Sequence, residues 1–127
     1  MLTQMLCVSI GGAVGAGLRF FVSYWVYRRW PSQFPFGTLV VNVVGCFLIG
    51  VLMRMSDAGI VSLTARLMLV TGLLGALTTF STFGFETIRL IEQSEWALAL
   101  LNVTANVTMS LLAVAVGLFF GKLVWDA

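Results

Sequence analysis

The sequence predicts an all-α integral membrane protein with four transmembrane helices. Of its 127 residues, 60% are hydrophobic and only 9% are charged, and the mean hydropathy is +1.04. A helix needs about 20 consecutive apolar residues to cross the hydrocarbon core of a bilayer, so a chain of this length has room for four spans and little else. We therefore expect residues 1–127 to form a single four-helix transmembrane domain.

The first two spans are separated by a loop that contains both prolines of the chain. The first span covers about residues 2–27, and the second covers about residues 36–55. Proline has no amide hydrogen to donate within a helix, so Pro31 and Pro35 end one helix and delay the start of the next. A polar turn around residues 56–59 ends the second span.

The third and fourth spans are joined by a short polar connection. The third span covers about residues 62–91, and the fourth covers about residues 96–125. Ser94 is a suitable N-cap for the fourth span, because Ser side chains accept hydrogen bonds from the first backbone N–H groups of a helix. Four tryptophans lie near the predicted span ends, as interfacial tryptophans do: Trp25, Trp30, Trp96 and Trp125.

The third span contains the most unusual segment of the chain. Residues 72–84 read GLLGALTTFSTFG, with three glycines, four hydroxyl side chains and two phenylalanines. Lipid offers no water to satisfy a broken backbone or an unpaired hydroxyl group, so a lipid-facing helix would contain Leu, Val and Ile instead. We therefore expect the third helix to be broken in the middle of the membrane and to face an ion or a water-filled path.

Polar side chains also occur inside the other spans. Arg19 is a full charge well inside the first span; such charges usually face the bundle interior, and a side chain that extends to the interface is the alternative. Asn42 in the second span either links two helices by hydrogen bonds or donates to an anion. In the fourth span Asn102, Asn106 and Ser110 are four residues apart and share one helix face, which indicates a pore wall or an interface.

Two phenylalanines of the third span suggest a way to approach an anion. Phe80 and Phe83 are three residues apart and share a helix face. An aromatic ring has a positive edge, so two ring edges can face a small anion without a formal charge; ordinary packing is the alternative. A helix break also leaves backbone carbonyl oxygens free to coordinate Na⁺ or a similar hard cation. Glu86 and Arg89, near the span end, are spaced as a surface ion pair.

The distribution of Lys and Arg predicts no preferred orientation in the membrane. Arg54, Arg66 and Lys122 lie on one side and Arg28, Arg29 and Arg89 on the other. Because the Lys and Arg bias of short loops sets orientation, three against three predicts insertion in both directions. Such a chain can form an antiparallel homodimer, a two-chain counterpart of the inverted repeats of transporters. The alternative is that an error in the span ends hides a real bias.

Enzyme chemistry has no basis in this sequence. There is no histidine, no catalytic triad and no phosphate-binding loop, and Cys7 and Cys46 lie in apolar stretches as packing residues. A small dual-topology drug/proton antiporter is the alternative function, but such a transporter needs a carboxylate deep in its first span, where this chain has Arg19. An assembly subunit without transport would leave the third-span segment unexplained.

Three motifs resemble those of the Fluc (CrcB) family of fluoride channels. They are GAGLR at residues 15–19, FGTLVVN at 36–42 and GLLGALTTFSTF at 72–83, of which the third is the most specific. The likeness covers essentially the whole chain. It implies a dual-topology homodimer with two antiparallel pores, through which fluoride passively leaves the cell across the cytoplasmic (inner) membrane of a bacterium and fluoride toxicity is relieved.

The same resemblance implies roles for individual residues of the fluoride path. Phe80 and Phe83 match phenylalanines whose ring edges face fluoride, and Asn42 matches a pore amide in the second span. The resemblance implies a continuing hydrogen-bonding track over Thr79, Ser81, Thr82, Asn106 and Ser110, with Glu86 at its mouth.

The resemblance also implies a cation site at the break of the third span. Gly75 and Thr78 match the positions whose backbone carbonyls hold a central structural Na⁺ between the two subunits. Arg19 matches the first-span arginine of the family, and its role is left open.

Overall fold

The computed structural model describes residues 1–125, and all regular secondary structure within them is helical. Four helical segments are long and apolar enough to cross a membrane, which confirms the four predicted spans. They are Leu2–Arg29, Phe36–Asp57, Leu63–Glu92 and Trp96–Trp125. The first, second and fourth are single helices, named here α1 (Leu2–Arg29), α2 (Phe36–Asp57) and α6 (Trp96–Trp125).

The third span is interrupted, as its composition predicts. It begins with α3 (Leu63–Arg66), continues through a π-helical segment (Leu67–Leu74) and a short α4 (Gly75–Leu77), and resumes as α5 (Phe80–Glu92). Between α4 and α5 the backbone leaves the helical conformation, because ψ is 155° at Thr78 and 118° at Thr79. These two residues are the break.

The start of α5 is fixed by its own N-cap. The side-chain oxygen of Thr79 accepts a hydrogen bond from the backbone N–H of Thr82 at 3.2 Å. A threonine in this position satisfies one of the N–H groups that have no partner within the helix. The sequence therefore restarts the helix two residues after it ends.

Ser94 belongs to the turn that terminates α5 and does not cap α6, so the predicted N-cap is wrong. Its φ of 64° is left-handed, its N–H donates to the carbonyl of Ile91, and the N–H of Glu95 donates to the carbonyl of Leu90. These two bonds form a Schellman motif, which satisfies the last carbonyls of a helix. The chain reverses through this motif, and α6 then begins at Trp96.

Glycines allow the helix backbones to touch at two crossings. Gly11 of α1 and Gly72 of the π-helical segment are buried against each other, and a Cβ on Gly72 would lie 2.5 Å from the carbonyl oxygen of Val8. At the second crossing Gly50 of α2 and Gly117 of α6 face each other's backbones in the same way. Small residues support this kind of close approach in lipid. The two crossings place the third span directly against α1, and α2 directly against α6.

Candidate functional site

A cavity of about 320 Å³ opens at the break of the third span, between α2, α5 and α6. Its walls combine hydroxyl, amide and aromatic side chains that come from all three spans. The lining residues are Asn42, Cys46, Thr78, Thr79, Phe80, Phe83, Asn106, Val107, Ser110 and Leu111. Most of the predicted path residues thus meet in one place.

The side-chain amide of Asn42 on α2 binds both the N–H and the carbonyl group of Thr79 at the break. Its Oδ1 accepts from the N–H of Thr79 at 2.8 Å, and its Nδ2 donates to the carbonyl oxygen of Thr79 at 3.2 Å. Thr79 is buried, so its backbone groups need partners within the protein. The amide of Asn42 supplies both of them and replaces the helical bonds that the break removes.

A ladder of amide side chains continues from Asn42 to α6. The Nδ2 of Asn42 also donates to Oδ1 of Asn106 at 2.9 Å, and the Nδ2 of Asn106 donates to both the backbone oxygen and Oδ1 of Asn102. A primary amide has two N–H donors. Both donors of Asn42 and both donors of Asn106 are therefore engaged with the protein, and an anion at either amide must replace one of these bonds.

Phe80 and Phe83 form one aromatic pair on the cavity wall. Their ring centroids are 5.4 Å apart and the ring planes are inclined by 53°, within the range of favourable aromatic geometries. The two rings differ in environment, since Phe83 is 8% exposed and Phe80 is 82% exposed. Phe83 is therefore packed by its own chain, whereas most of Phe80 is presented to whatever surrounds the bundle.

Ser81 and Thr82 do not line this cavity. Both are exposed on the surface of α5, but they adjoin the break through Thr79. The hydroxyl of Thr79 donates to Oγ1 of Thr82 at 2.9 Å and lies 3.4 Å from Oγ of Ser81. Ser110 of α6 completes the hydroxyl groups on the opposite wall.

Glu86 lies at a separate cavity of about 270 Å³, near the loop between α1 and α2. Its Oε1 accepts a hydrogen bond of 2.8 Å from the hydroxyl of Thr38. Arg89, the predicted ion-pair partner, instead faces Glu92 across an exposed 3.4 Å contact, so the predicted pairing of Glu86 with Arg89 is wrong. The second cavity is lined by polar residues, including Ser23, Gln33 and Thr38.

Arg19 lies apart from both cavities. The side chain is half-buried on α1, and within residues 1–125 no hydrogen bond or ion pair involves it. An unpaired guanidinium inside an apolar span is costly.

Gly75 and Thr78 have carbonyl oxygens that lack their normal helical donors. In an unbroken α-helix these oxygens would accept from the N–H groups of Thr79 and Thr82. Here the N–H of Thr79 donates to Asn42, and that of Thr82 donates to the side chain of Thr79. Within residues 1–125 there is no cluster of three or more His, Cys, Asp or Glu side chains that could hold a metal, so a cation bound here would need oxygen atoms of backbone, hydroxyl or amide groups.

Three residues near the sites escaped the sequence interpretation. Cys46 lines the cavity at the break instead of only packing in lipid, Thr38 binds Glu86, and Thr87 of α5 accepts a hydrogen bond from Asn102. A usable signal existed for Thr38 and Cys46, because Thr38, Asn42 and Cys46 are four residues apart and share one face of α2. Thr87 carried a similar signal, because it is four residues after Phe83 on α5, but the spacing does not reveal its bond to Asn102 on another helix.

Comparison with known proteins agrees with the motif resemblance. A family model described as CrcB-like protein, Camphor Resistance (CrcB), matches residues 6–118. A Shewanella sp. (strain W3-18-1) protein named fluoride-specific ion channel FluC is 42% identical over 116 residues, which cover 91% of this chain and 94% of the relative. A Parabacteroides distasonis protein of the same name is 44% identical over 119 residues, 94% of this chain and 93% of the relative. This chain therefore belongs to the CrcB family, whose relatives named here are channels and not enzymes.

Proposed function

We propose that this chain forms a fluoride-selective channel that lets fluoride leave the cell passively and so confers fluoride resistance. The observation that carries the proposal is the cavity at the break of the third span, where Phe80 and Phe83 meet Asn42, Thr79 and Ser110. Relatives that match over nine-tenths of the chain bear the name of fluoride-specific channels. An ion path through this protein would be expected at the cavity, because polar side chains of three spans meet there inside the membrane.

The chemistry of the cavity suits an ion that must be both bound and released. Fluoride is small and strongly hydrated, so a pore has to replace its water with closely placed hydrogen-bond donors and polarised C–H edges. No described residue that lines the cavity carries a charge. Weak, multiple interactions of this kind favour conduction over trapping, and the positive edges of Phe80 and Phe83 add attraction without a fixed cation.

Within this proposal, Asn42 serves fluoride by exchanging one of its hydrogen bonds. Its bond to the carbonyl oxygen of Thr79 is 3.2 Å long and its bond to Asn106 is 2.9 Å. The longer bond is the one that an incoming anion would displace. The path then extends along Thr79, Ser81 and Thr82 on one side and Asn106 and Ser110 on the other, and Glu86 lies towards its mouth at the second cavity.

We further propose that a second, antiparallel copy of the chain covers the exposed polar face of the third span. Thr71, Ser81 and Thr82 are exposed within a span, and lipid cannot hydrogen-bond to hydroxyl groups. Phe80, at 82% exposure beside the cavity, is likewise placed to complete a pore with a partner chain. Each side of the membrane has three basic residues in total, Lys and Arg counted together, and this balance favours the antiparallel arrangement. Such a dimer has two pores in the bacterial inner membrane.

The carbonyls of Gly75 and Thr78 fit a structural Na⁺ on the two-fold axis of such a dimer. Each oxygen is deprived of its helical donor, as described above, and Gly75 is exposed. Two oxygens are fewer than oxygen-coordinated cations normally take, and an antiparallel second copy would add two more. The ion would offset part of the cost of placing an anion in a low-dielectric pore.

The test of the proposed function is fluoride efflux from proteoliposomes that contain the purified protein. Valinomycin carries K⁺ out of the vesicles and so compensates the charge of the departing fluoride. Chloride serves as the control anion. Rapid release of fluoride without release of chloride is the expected result. No fluoride release from protein that is dimeric by size exclusion would overturn the proposal.

Orientation is tested separately with a single cysteine. Gln33→Cys, in a background of Cys7→Ser and Cys46→Ser, places one thiol in the exposed loop after α1. Dual topology predicts that a membrane-impermeant thiol reagent labels about half of the copies in sealed vesicles, whereas complete or absent labelling indicates one orientation.

A further inference from the structure

We propose that Asn102 is a positioning residue that sets the direction of the hydrogen bonds across the helix break. It does not line the cavity and would not touch a permeating ion. Its effect on fluoride passage rests on the proposed function, but its effect on the order of the break does not.

Asn102 is the most deeply buried polar residue of the described chain. Its side chain is 0% exposed, and a buried amide is costly unless it is fully hydrogen-bonded. Its Nδ2 donates to Oγ1 of Thr87 at 3.0 Å. Its Oδ1 and backbone oxygen both accept from Nδ2 of Asn106, at 2.9 and 3.0 Å.

These bonds leave Asn106 only one orientation. An Asn amide can in principle be turned so that its oxygen and nitrogen exchange places, and the surrounding hydrogen bonds decide between the two. Because both oxygens of Asn102 demand the NH₂ group, Oδ1 of Asn106 must face α2. There it accepts from Nδ2 of Asn42, which in turn fixes Asn42 with its oxygen towards the N–H of Thr79.

The other end of the ladder reaches the aromatic pair. The hydroxyl of Thr87 accepts from Asn102 and donates its single hydrogen to the backbone oxygen of Phe83 at 2.8 Å. One chain of bonds therefore runs from Phe83 through Thr87, Asn102, Asn106 and Asn42 to Thr79. Asn102 lies at its centre and aligns both the start of α5 and the turn that contains Phe83.

Asn102→Leu would remove the side-chain acceptor of Asn106 and the donor to Thr87, and only the backbone oxygen of residue 102 would still accept from Nδ2 of Asn106. Asn106 would then be held less firmly against Asn42, and the pairing of Asn42 with Thr79 would lose part of its support. The break would populate more than one arrangement although no residue of the cavity wall had changed.

The test uses Asn102→Leu, because leucine has nearly the shape of asparagine and no hydrogen-bonding group. We expect fluoride efflux per folded channel to fall about tenfold, the order seen when an outer hydrogen-bond partner of a functional site is removed. Hydrogen–deuterium exchange of the peptide that contains residues 79–83 should become faster. The melting temperature should fall modestly, because the buried Nδ2 of Asn106 loses one of its acceptors. Gln93→Leu, the same amide-to-leucine change in an exposed turn, should alter neither efflux nor exchange.

Thr87→Val keeps the inference testable if Asn102→Leu does not fold. It should reproduce the loss of efflux and the faster exchange, with Thr64→Val at an exposed site as its control. The double variant should be no worse than the poorer single variant, since coupled residues are not additive. Wild-type efflux and exchange in either single variant, or fully additive effects, would overturn the inference. If wild-type protein carries no fluoride, the proposed function fails, and the exchange measurement alone then decides the role of Asn102.

Discussion

Asn42 and Thr79 are 37 positions apart and form two reciprocal hydrogen bonds, of 2.8 and 3.2 Å, between one side-chain amide and one backbone unit. The pairing copies what a neighbouring helical turn would provide. It explains how a helix can stop and restart inside an apolar span, since no water is present there to solvate the open backbone. The break therefore depends on Asn42 of α2 as well as on the sequence of the third span.

We predict that Asn42→Leu destabilises the protein and abolishes most of its fluoride efflux. The N–H and carbonyl of the buried Thr79 lose their partners, and a buried unpaired group costs about 1–3 kcal/mol. Chemical unfolding in detergent micelles measures the loss of stability, and proteoliposome efflux measures the loss of function. Unchanged stability in this variant, with Gln93→Leu as the exposed amide control, would contradict the structural role of the amide.

The two phenylalanines should respond differently to the same substitution. Phe80→Ile and Phe83→Ile both remove a ring edge and should both reduce fluoride efflux sharply with the dimer still assembled. Phe83→Ile should also lower the melting temperature clearly, because Phe83 is 8% exposed and packed within its own chain, and loss of a buried side chain leaves a void. Phe80→Ile should lower it less, because Phe80 is 82% exposed in the single chain and is proposed to face the pore.

Phe85→Ile is the matched control for this pair, since Phe85 is on the same helix, is 67% exposed and does not line the cavity. Its efflux and melting temperature should match those of the wild type. Normal fluoride flux in both Phe80→Ile and Phe83→Ile would rule out the ring-edge role.

Cys46 should make the channel sensitive to small thiol reagents. Its side chain lines the cavity together with Asn42, one helical turn away on α2, so a group attached to its sulfur would fill space that an ion needs. Treatment with a small methanethiosulfonate should reduce efflux, and Cys46→Ser should abolish that sensitivity although Cys7 is still present. Inhibition that persists in Cys46→Ser would assign the effect to Cys7 and contradict the placement.

Composition and periodicity were sufficient to predict the four spans and an interruption in the third one. Apolar runs separated by Pro31, Pro35 and polar turns predict the spans. The hydroxyl-rich segment of the third span predicts the interruption, because lipid cannot form hydrogen bonds with such side chains. The four-residue spacing on α6 likewise predicted a shared face for Asn106 and Ser110, and both line the cavity.

Pairing between helices could not be predicted in the same way. The bond of Glu86 to Thr38, and not to Arg89, joins residues 48 positions apart, and helical spacing carries no information about such contacts. The direction of the amide ladder is also invisible in sequence, since it depends on which atoms of three asparagines face one another in space. Ser94 was assigned to the wrong helix because serine is common at N-caps, whereas its left-handed φ depends on how the chain reverses.

The crossing of α1 and the third span provides a final prediction, from two adjacent glycines. A Cβ on Gly11 would overlap the backbone oxygen of Met68, whereas a Cβ on Gly12 would lie 3.9 Å from the oxygen of Gly72, in ordinary contact. Gly11→Ala should therefore force the helices apart and cost about 1–3 kcal/mol, but Gly12→Ala should be neutral or slightly stabilising, because alanine favours the helix.

Both glycine variants are compared by chemical unfolding and by fluoride efflux. Because the π-helical segment at this crossing leads directly into α4 and the break, displacement by Gly11→Ala should also reduce efflux from the protein that remains folded. Equal stability of the two variants would mean that the helices can separate without cost, and that the position of the break does not depend on contact with α1.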